Sequence, residues 1–121
     1  MGAGAVLQRL CRKNVMAMLQ DLIEMLVGAL RRPHQREELV RAFQEAVSNE
    51  PESPSHGAGW DVLTTLATDL ECYVPDPEAR VEHRNYYGDE RLRQEILSAL
   101  RELVEAGVIS SDSLTRAAGP A

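Results

Sequence analysis

The sequence predicts an all-α protein, specifically a four-helix up-down bundle with a long loop between helices two and three. Leu, Ala, Glu and Arg dominate the composition, and all four residues favour helices. Aromatic residues make up only 4% of the chain, which argues against a β-sandwich. Four segments repeat apolar residues every three or four positions, and such stripes are buried most simply against one another. We expect residues 1–110 to form a single helical domain and residues 111–121 a flexible C-terminal tail, in which residues 113–117 could form a short turn.

The first helix is predicted over about residues 5–31, where apolar side chains recur at helical spacing. Asn14 could cap a new start, so this segment forms either one helix or two. Pro33 ends it, because the residue before a proline is pushed out of helical geometry. A second helix is expected from about residue 33 to residue 49, with an apolar stripe made of Leu39, Val40, Phe43, Ala46 and Val47.

Residues 49–59 contain two prolines and two glycines, and this composition predicts a loop. The third helix is expected from about residue 59 to residue 72. Pro75 and Pro77 prevent it from continuing, and Pro77 could open one short helical turn that ends at Arg80.

The fourth helix has the clearest boundaries. Asp89 is expected to be its N-cap, and Gly107 is expected to end it in the left-handed conformation. Its apolar stripe consists of Leu92, Ile96, Leu97, Leu100, Leu103 and Val104.

The chain shows no sequence motif of an enzyme active site, a phosphate-binding loop or a metal centre. We therefore expect no catalytic residues, no metal and no cofactor. Cys11 and Cys72 lack the spacing of a zinc site and are expected to be buried thiols. His34, His56 and His83 are separated in the sequence and are expected at the surface. No secretory signal or membrane-spanning helix is predicted, so we expect a cytosolic protein that does not enter membranes.

Charge is distributed unevenly along the chain. The net charge is −6, with +3 on residues 1–44 and −9 on residues 45–121. An acidic segment repels nucleic acid and attracts a basic protein. The alternative is a solvated acidic surface that serves solubility alone.

The acidic part of the chain also contains all three tyrosines, which lie between residues 69 and 92. Tyrosine provides a large, rigid contact area with a polar tip, and carboxylates steer basic partners towards a surface. Packing of these tyrosines against the protein's own helices is the alternative. We predict a partner-binding surface made of Asp69, Glu71, Tyr73, Asp76, Glu78, Glu82, Tyr86 and Tyr87.

Residues 60–105 resemble the bacterial colicin-like immunity proteins, which are small acidic helical proteins that block a toxin nuclease. The shared features are a helix that ends in Asp-Leu-Glu-Cys-Tyr at residues 69–73, a Pro-Asp-Pro-Glu-Ala-Arg turn at 75–80, and Gly-Asp-Glu at 88–90, where the last helix opens. The resemblance implies a bacterial antitoxin whose partner is the basic nuclease domain of a toxin. On this chain, the matching surface would be formed by Asp69, Glu71, Asp76, Glu78 and Glu82. The net basic N-terminal third and the loop at 49–59 depart from the family pattern.

Two other functions are considered. Helix one has a long apolar stripe, which would suit a helical scaffold or a homodimer joined through that helix. A small enzyme that uses the carboxylates together with His83 is the third hypothesis.

Overall fold

The computed structural model describes residues 18–49 and 59–119, and this part of the chain is helical and contains no β-strand. The predicted all-α class is therefore confirmed. Residues 18–31 form α1. The later helices are α2 (Arg36–Asn49), α3 (Trp60–Asp69), α4 (Pro77–Arg80), α5 (Asp89–Glu105) and α6 (Ser111–Ala118), with 3-10 turns at Pro33–Gln35 and Leu70–Cys72. The predicted break near Asn14, nearly all of the predicted 49–59 loop, Cys11 and His56 lie outside the described residues.

The corner between α1 and α2 lies where Pro33 predicts it. Arg32 leaves helical geometry with φ −120° and ψ 85°, as expected before a proline. The Arg36 guanidinium then reaches back to the end of α1. Its Nε donates to the Ala29 carbonyl at 2.6 Å and its Nη2 to the Leu30 carbonyl at 3.2 Å. These bonds satisfy carbonyls that have no partner within the helix.

The start of α5 differs from the prediction. Gly88, in extended conformation, is the N-cap, and no side chain caps the helix there. Asp89 is the first helical residue, so its predicted role as the cap is wrong. Its carboxylate instead contacts Tyr73 and Arg36, which lie on other elements.

The end of α5 matches the prediction. Gly107 has φ +76°, in the left-handed region. Its N–H donates to the Val104 carbonyl at 3.0 Å, and the Val108 N–H donates to the Leu103 carbonyl at 2.9 Å. This pair of bonds is the Schellman motif, which glycine favours.

One apolar core joins the helices. The helix α3 packs against both α2 and α5, and α6 packs against α5. The largest side chains that are almost fully buried are Phe43, Leu22, Ile23, Leu26, Leu63, Leu70, Leu92, Ile96, Leu100 and Leu103. Most of the apolar residues predicted to line the described helices therefore form the interior, and Leu39, Ala46 and Leu97 are partly buried against it.

Residues 111–118, predicted as part of a flexible tail, form α6 instead. Ala117 is 1% exposed, and Leu114 packs against the core. The Arg116 guanidinium binds both carboxylate oxygens of Glu24 on α1, at 2.7 and 2.8 Å. The segment is short and mostly polar, so its apolar positions are too few for a periodic pattern to reveal a helix.

Candidate functional site

Residues 73–87, here called the 73–87 loop, connect the end of α3 to the start of α5. The loop is closed at its base by an isolated parallel bridge between Tyr73 and Tyr87. The Val74 N–H donates to the Tyr87 carbonyl at 2.8 Å, and the Tyr87 N–H donates to the Cys72 carbonyl at 2.9 Å. Two backbone hydrogen bonds therefore hold together chain positions that are far apart in sequence.

The helix α4 gives the loop an ordered interior. It begins at Pro77, as predicted, and the Asp76 carboxylate accepts a hydrogen bond from the Glu78 N–H at 3.1 Å. Aspartate favours this N-cap position because it satisfies an N–H that the helix leaves open. Asp76 therefore has a structural role in addition to its exposed charge.

Tyr73 is half-buried, and its hydroxyl group is used within the chain. The hydroxyl donates to Asp89 Oδ1 at 2.6 Å, and Asp89 Oδ2 lies 3.2 Å from Nη1 of Arg36. Burial, followed by this hydrogen bond to a carboxylate, raises the pKa of Tyr73 well above its ordinary value. The contacts connect the loop to the α1–α2 corner through Arg36.

The hydroxyl of Tyr87 is also used internally, since it donates to the Asp69 carbonyl at 2.7 Å. The Arg91 guanidinium carbon lies 5.4 Å from the centre of the Tyr87 ring, in cation–π geometry. Burial, followed by the nearby Glu95 carboxylate, raises the pKa of Tyr87. The third tyrosine, Tyr86, is half-buried, and its ring centre lies 5.2 Å from that of His83.

The five carboxylates of the predicted surface are exposed. None of them pairs with an arginine in the described part of the chain, whereas Glu24, Glu37, Asp89 and Glu95 each do. The charges of Asp69, Glu71, Asp76, Glu78 and Glu82 therefore face solvent without an ion pair to a described arginine, and Asp69 among them is coupled electrostatically to a nearby guanidinium, that of Arg91.

These five carboxylates lie in three places. Asp76, Glu78 and Glu82 belong to the 73–87 loop. Asp69 lines a groove of about 400 Å³ between α3 and α5, in which the other acidic residues are Asp61, Glu95 and Glu102. Glu71 lines a different cavity, of about 270 Å³, between α2 and α3. Six of the eight predicted residues therefore belong to the 73–87 loop, whereas Asp69 and Glu71 lie just before it and line two different cavities.

Two further residues were not found from the sequence. Arg36 connects α1, α5 and the loop, but its partners are distant in the chain, so no local signal indicates them. Val81 is 85% exposed, although it is a large apolar residue. In the sequence, Val81 is an isolated apolar residue in a polar, irregular segment. The predicted surface was based on charge and on tyrosines, so it does not include Val81.

Other sites are not indicated by the geometry. Between residues 18 and 49 and between 59 and 119, no three metal-ligating side chains come together. Within the same stretches, no helix has the length and apolar character needed to cross a bilayer. Cys72 is a free, half-buried thiol, and His34 and His83 are exposed.

Comparison of the chain with protein-family profiles, with curated protein sequences and with solved structures finds no match. The resemblance to colicin-like immunity proteins therefore stays a prediction.

Proposed function

We propose that the protein is a non-enzymatic binding module that neutralises a basic partner, the nuclease domain of a toxin, through its exposed carboxylates. The observation that carries this proposal is that Asp69, Glu71, Asp76, Glu78 and Glu82 are exposed and form no ion pair with an arginine within the described residues. Carboxylates that are already paired contribute little to a new complex. Unpaired ones raise the rate at which a basic protein approaches.

The closed base of the 73–87 loop also supports binding. Interfaces lose affinity when a loop must be ordered during association. Here, the Tyr73–Tyr87 bridge and the Asp76 cap order the loop beforehand. The loop can therefore present its charges at a lower entropic cost than a loose connection of the same length could.

The proposal is tested with the protein encoded beside this one as the partner. The variant D69N/E71Q/D76N/E78Q removes four charges, and the D76N change keeps the cap of α4 because asparagine also occupies N-caps well. We expect the association rate to fall at least about tenfold, and to depend less steeply on salt. Stopped-flow mixing at two or more salt concentrations measures both quantities.

A matched control removes the same number of charges elsewhere. The variant E38Q/E45Q/E105Q/D112N changes four exposed carboxylates that lie outside the predicted surface. Its association rate should change much less than that of the first variant. Undiminished binding of the first variant, or equal losses in both, would refute this surface.

The proposal also covers the arrangement of the helices and the cellular location of the protein. We infer that α1, α2, α3 and α5 run up and down as a four-helix bundle, to which α4 and α6 are added. Arg36 supports this by joining the end of α1 to the start of α5, as expected for antiparallel neighbours. A cytosolic location is consistent with Cys72 as a free thiol.

Self-association through helix one is the alternative. In α1, the apolar residues Leu22, Ile23, Leu26, Val27, Ala29 and Leu30 are already buried in the protein's own core. The described half of helix one therefore offers no support for a homodimer. The half before residue 18 lies outside the described residues, so the homodimer stays a prediction.

A further inference from the structure

Val81 is the one large apolar side chain that is exposed in the described part of the chain. Single exposed apolar residues are common on protein surfaces and need no explanation by themselves. Val81 differs in its setting, because it follows α4 directly within a loop that is closed at its base. Its position, and not its exposure alone, indicates a function.

The backbone around Val81 is held by local hydrogen bonds. The Val81 N–H donates to the Glu78 carbonyl at 3.3 Å, and the next N–H, of Glu82, donates to the Ala79 carbonyl at 3.2 Å. The preceding residue, Arg80, packs its guanidinium against Gly88, in the space that a Cβ at that position would fill. The loop therefore presents Val81 from a backbone that is ordered before any partner arrives.

The charges next to Val81 indicate what covers it. Glu78 and Glu82 precede and follow Val81 on the same turn, and both are exposed without a described counter-ion. Protein interfaces often combine an apolar centre with a polar rim, and the central anchor residues provide most of the affinity. An apolar anchor between two carboxylates complements an apolar pocket bordered by lysine or arginine.

We propose that Val81 is the apolar anchor by which the 73–87 loop enters an apolar pocket, bordered by lysine or arginine, on the basic partner protein. The inference rests on the proposed function, because that partner is the one that the carboxylates attract. The carboxylates govern the approach of the partner, and Val81 governs how long the complex lasts.

The test measures association and dissociation rates separately, by surface plasmon resonance with the protein encoded beside this one. We expect V81S to raise the dissociation rate at least about tenfold and to leave the association rate and its salt dependence nearly unchanged. V81I keeps the apolar character and should stay close to wild type. A106S, a polar change at an exposed position after α5, is the matched control and should have no effect.

Four results would overturn the anchor. In the first, V81S dissociates as slowly as the wild type while D69N/E71Q/D76N/E78Q associates slowly. This result excludes the anchor and leaves the proposed function intact. A large loss of folding stability in V81S shows a structural role, since an exposed side chain should contribute little. Self-association of the wild type that V81S abolishes, measured by sedimentation, shows that a second copy covers Val81. If the wild type does not bind the neighbouring protein, both proposals fail.

Discussion

Asp89 is the residue at which three parts of the chain meet. One carboxylate oxygen accepts the hydroxyl of Tyr73, and the other pairs with Arg36, whose own guanidinium also binds the last carbonyls of α1. Asp89 also lies in the first turn of α5, where a negative charge is favoured by the helix dipole. One side chain thus fixes the 73–87 loop relative to α1, α2 and α5.

We expect Y73F to lower the free energy of unfolding by about 1 kcal/mol. The ring and its packing remain, while the hydrogen bond to Asp89 is lost, and the site is partly open to water, which limits the cost. Urea unfolding at neutral pH measures the change. The control is Y86F, because the Tyr86 hydroxyl makes no hydrogen bond with any described residue. Equal effects of the two variants would contradict the role given to the Tyr73 hydroxyl.

The two half-buried tyrosines, Tyr73 and Tyr87, should also make stability depend on alkaline pH. Burial raises the pKa of Tyr73 and of Tyr87, so the folded protein keeps these protons at a pH where the unfolded chain has lost them. The free energy of unfolding should therefore be unaffected below about pH 10, the ordinary tyrosine value, and fall as the pH rises further. Denaturant unfolding between pH 8 and 11 measures this, and the double variant Y73F/Y87F should show a weaker decline.

At the scale of elements, boundaries that depend on local chemistry could be predicted. Pro33, Pro77 and Gly107 act through their own backbone geometry, and each lies at the predicted boundary. The prediction that Asp89 caps α5 is wrong because its carboxylate binds Tyr73 and Arg36, which lie on other elements. The sequence indicates only a short turn where α6 forms, because this helix derives its stability from contacts with α1 and α5, which a local pattern does not contain.

Gly107 offers a test of one such boundary. A left-handed conformation is unfavourable for residues with a Cβ, so we expect G107A to destabilise the protein by about 1–2 kcal/mol. Apart from the two flanking residues, no described residue has an atom within 4 Å of the added Cβ, so the cost comes from the backbone alone. Asparagine tolerates this conformation better, and G107N should lose less stability in thermal unfolding. A stability loss in G107N as large as that in G107A would contradict this explanation.

The residues of the candidate site could likewise be predicted from the sequence, but their surroundings in the fold could not. The sequence indicates which residues carry charge, and Asp69 and Glu71 are indeed exposed. It does not indicate that the two carboxylates line different cavities, because that depends on how α2, α3 and α5 pack. Likewise, the hydroxyl partners of Tyr73 and Tyr87 lie 16 and 18 residues away. Contacts of this kind follow from the fold and not from spacing.

At the scale of the molecule, acidic and basic side chains of the described residues gather in different cavities. The groove between α3 and α5 is lined by four carboxylates. A cavity of about 300 Å³ between α1 and α6 is lined instead by Arg31, Arg32, Arg116 and Glu24. The basic partner that we propose should therefore be attracted more strongly to the acidic groove than to the basic cavity.

The packing of α6 against the rest of the protein can be tested with two adjacent alanines. Ala117 is 1% exposed and Ala118 is exposed, so A117D places a charge in the core whereas A118D leaves it in water. We expect A117D to cost about 3 kcal/mol or more in urea unfolding, because the buried carboxylate has no partner. A118D adds the same single negative charge at the same end of the helix. There, the unfavourable interaction with the helix dipole lowers the stability by only about a few tenths of a kcal/mol. If residues 111–118 were instead a loose tail, both variants would unfold like the wild type, because neither aspartate would be buried.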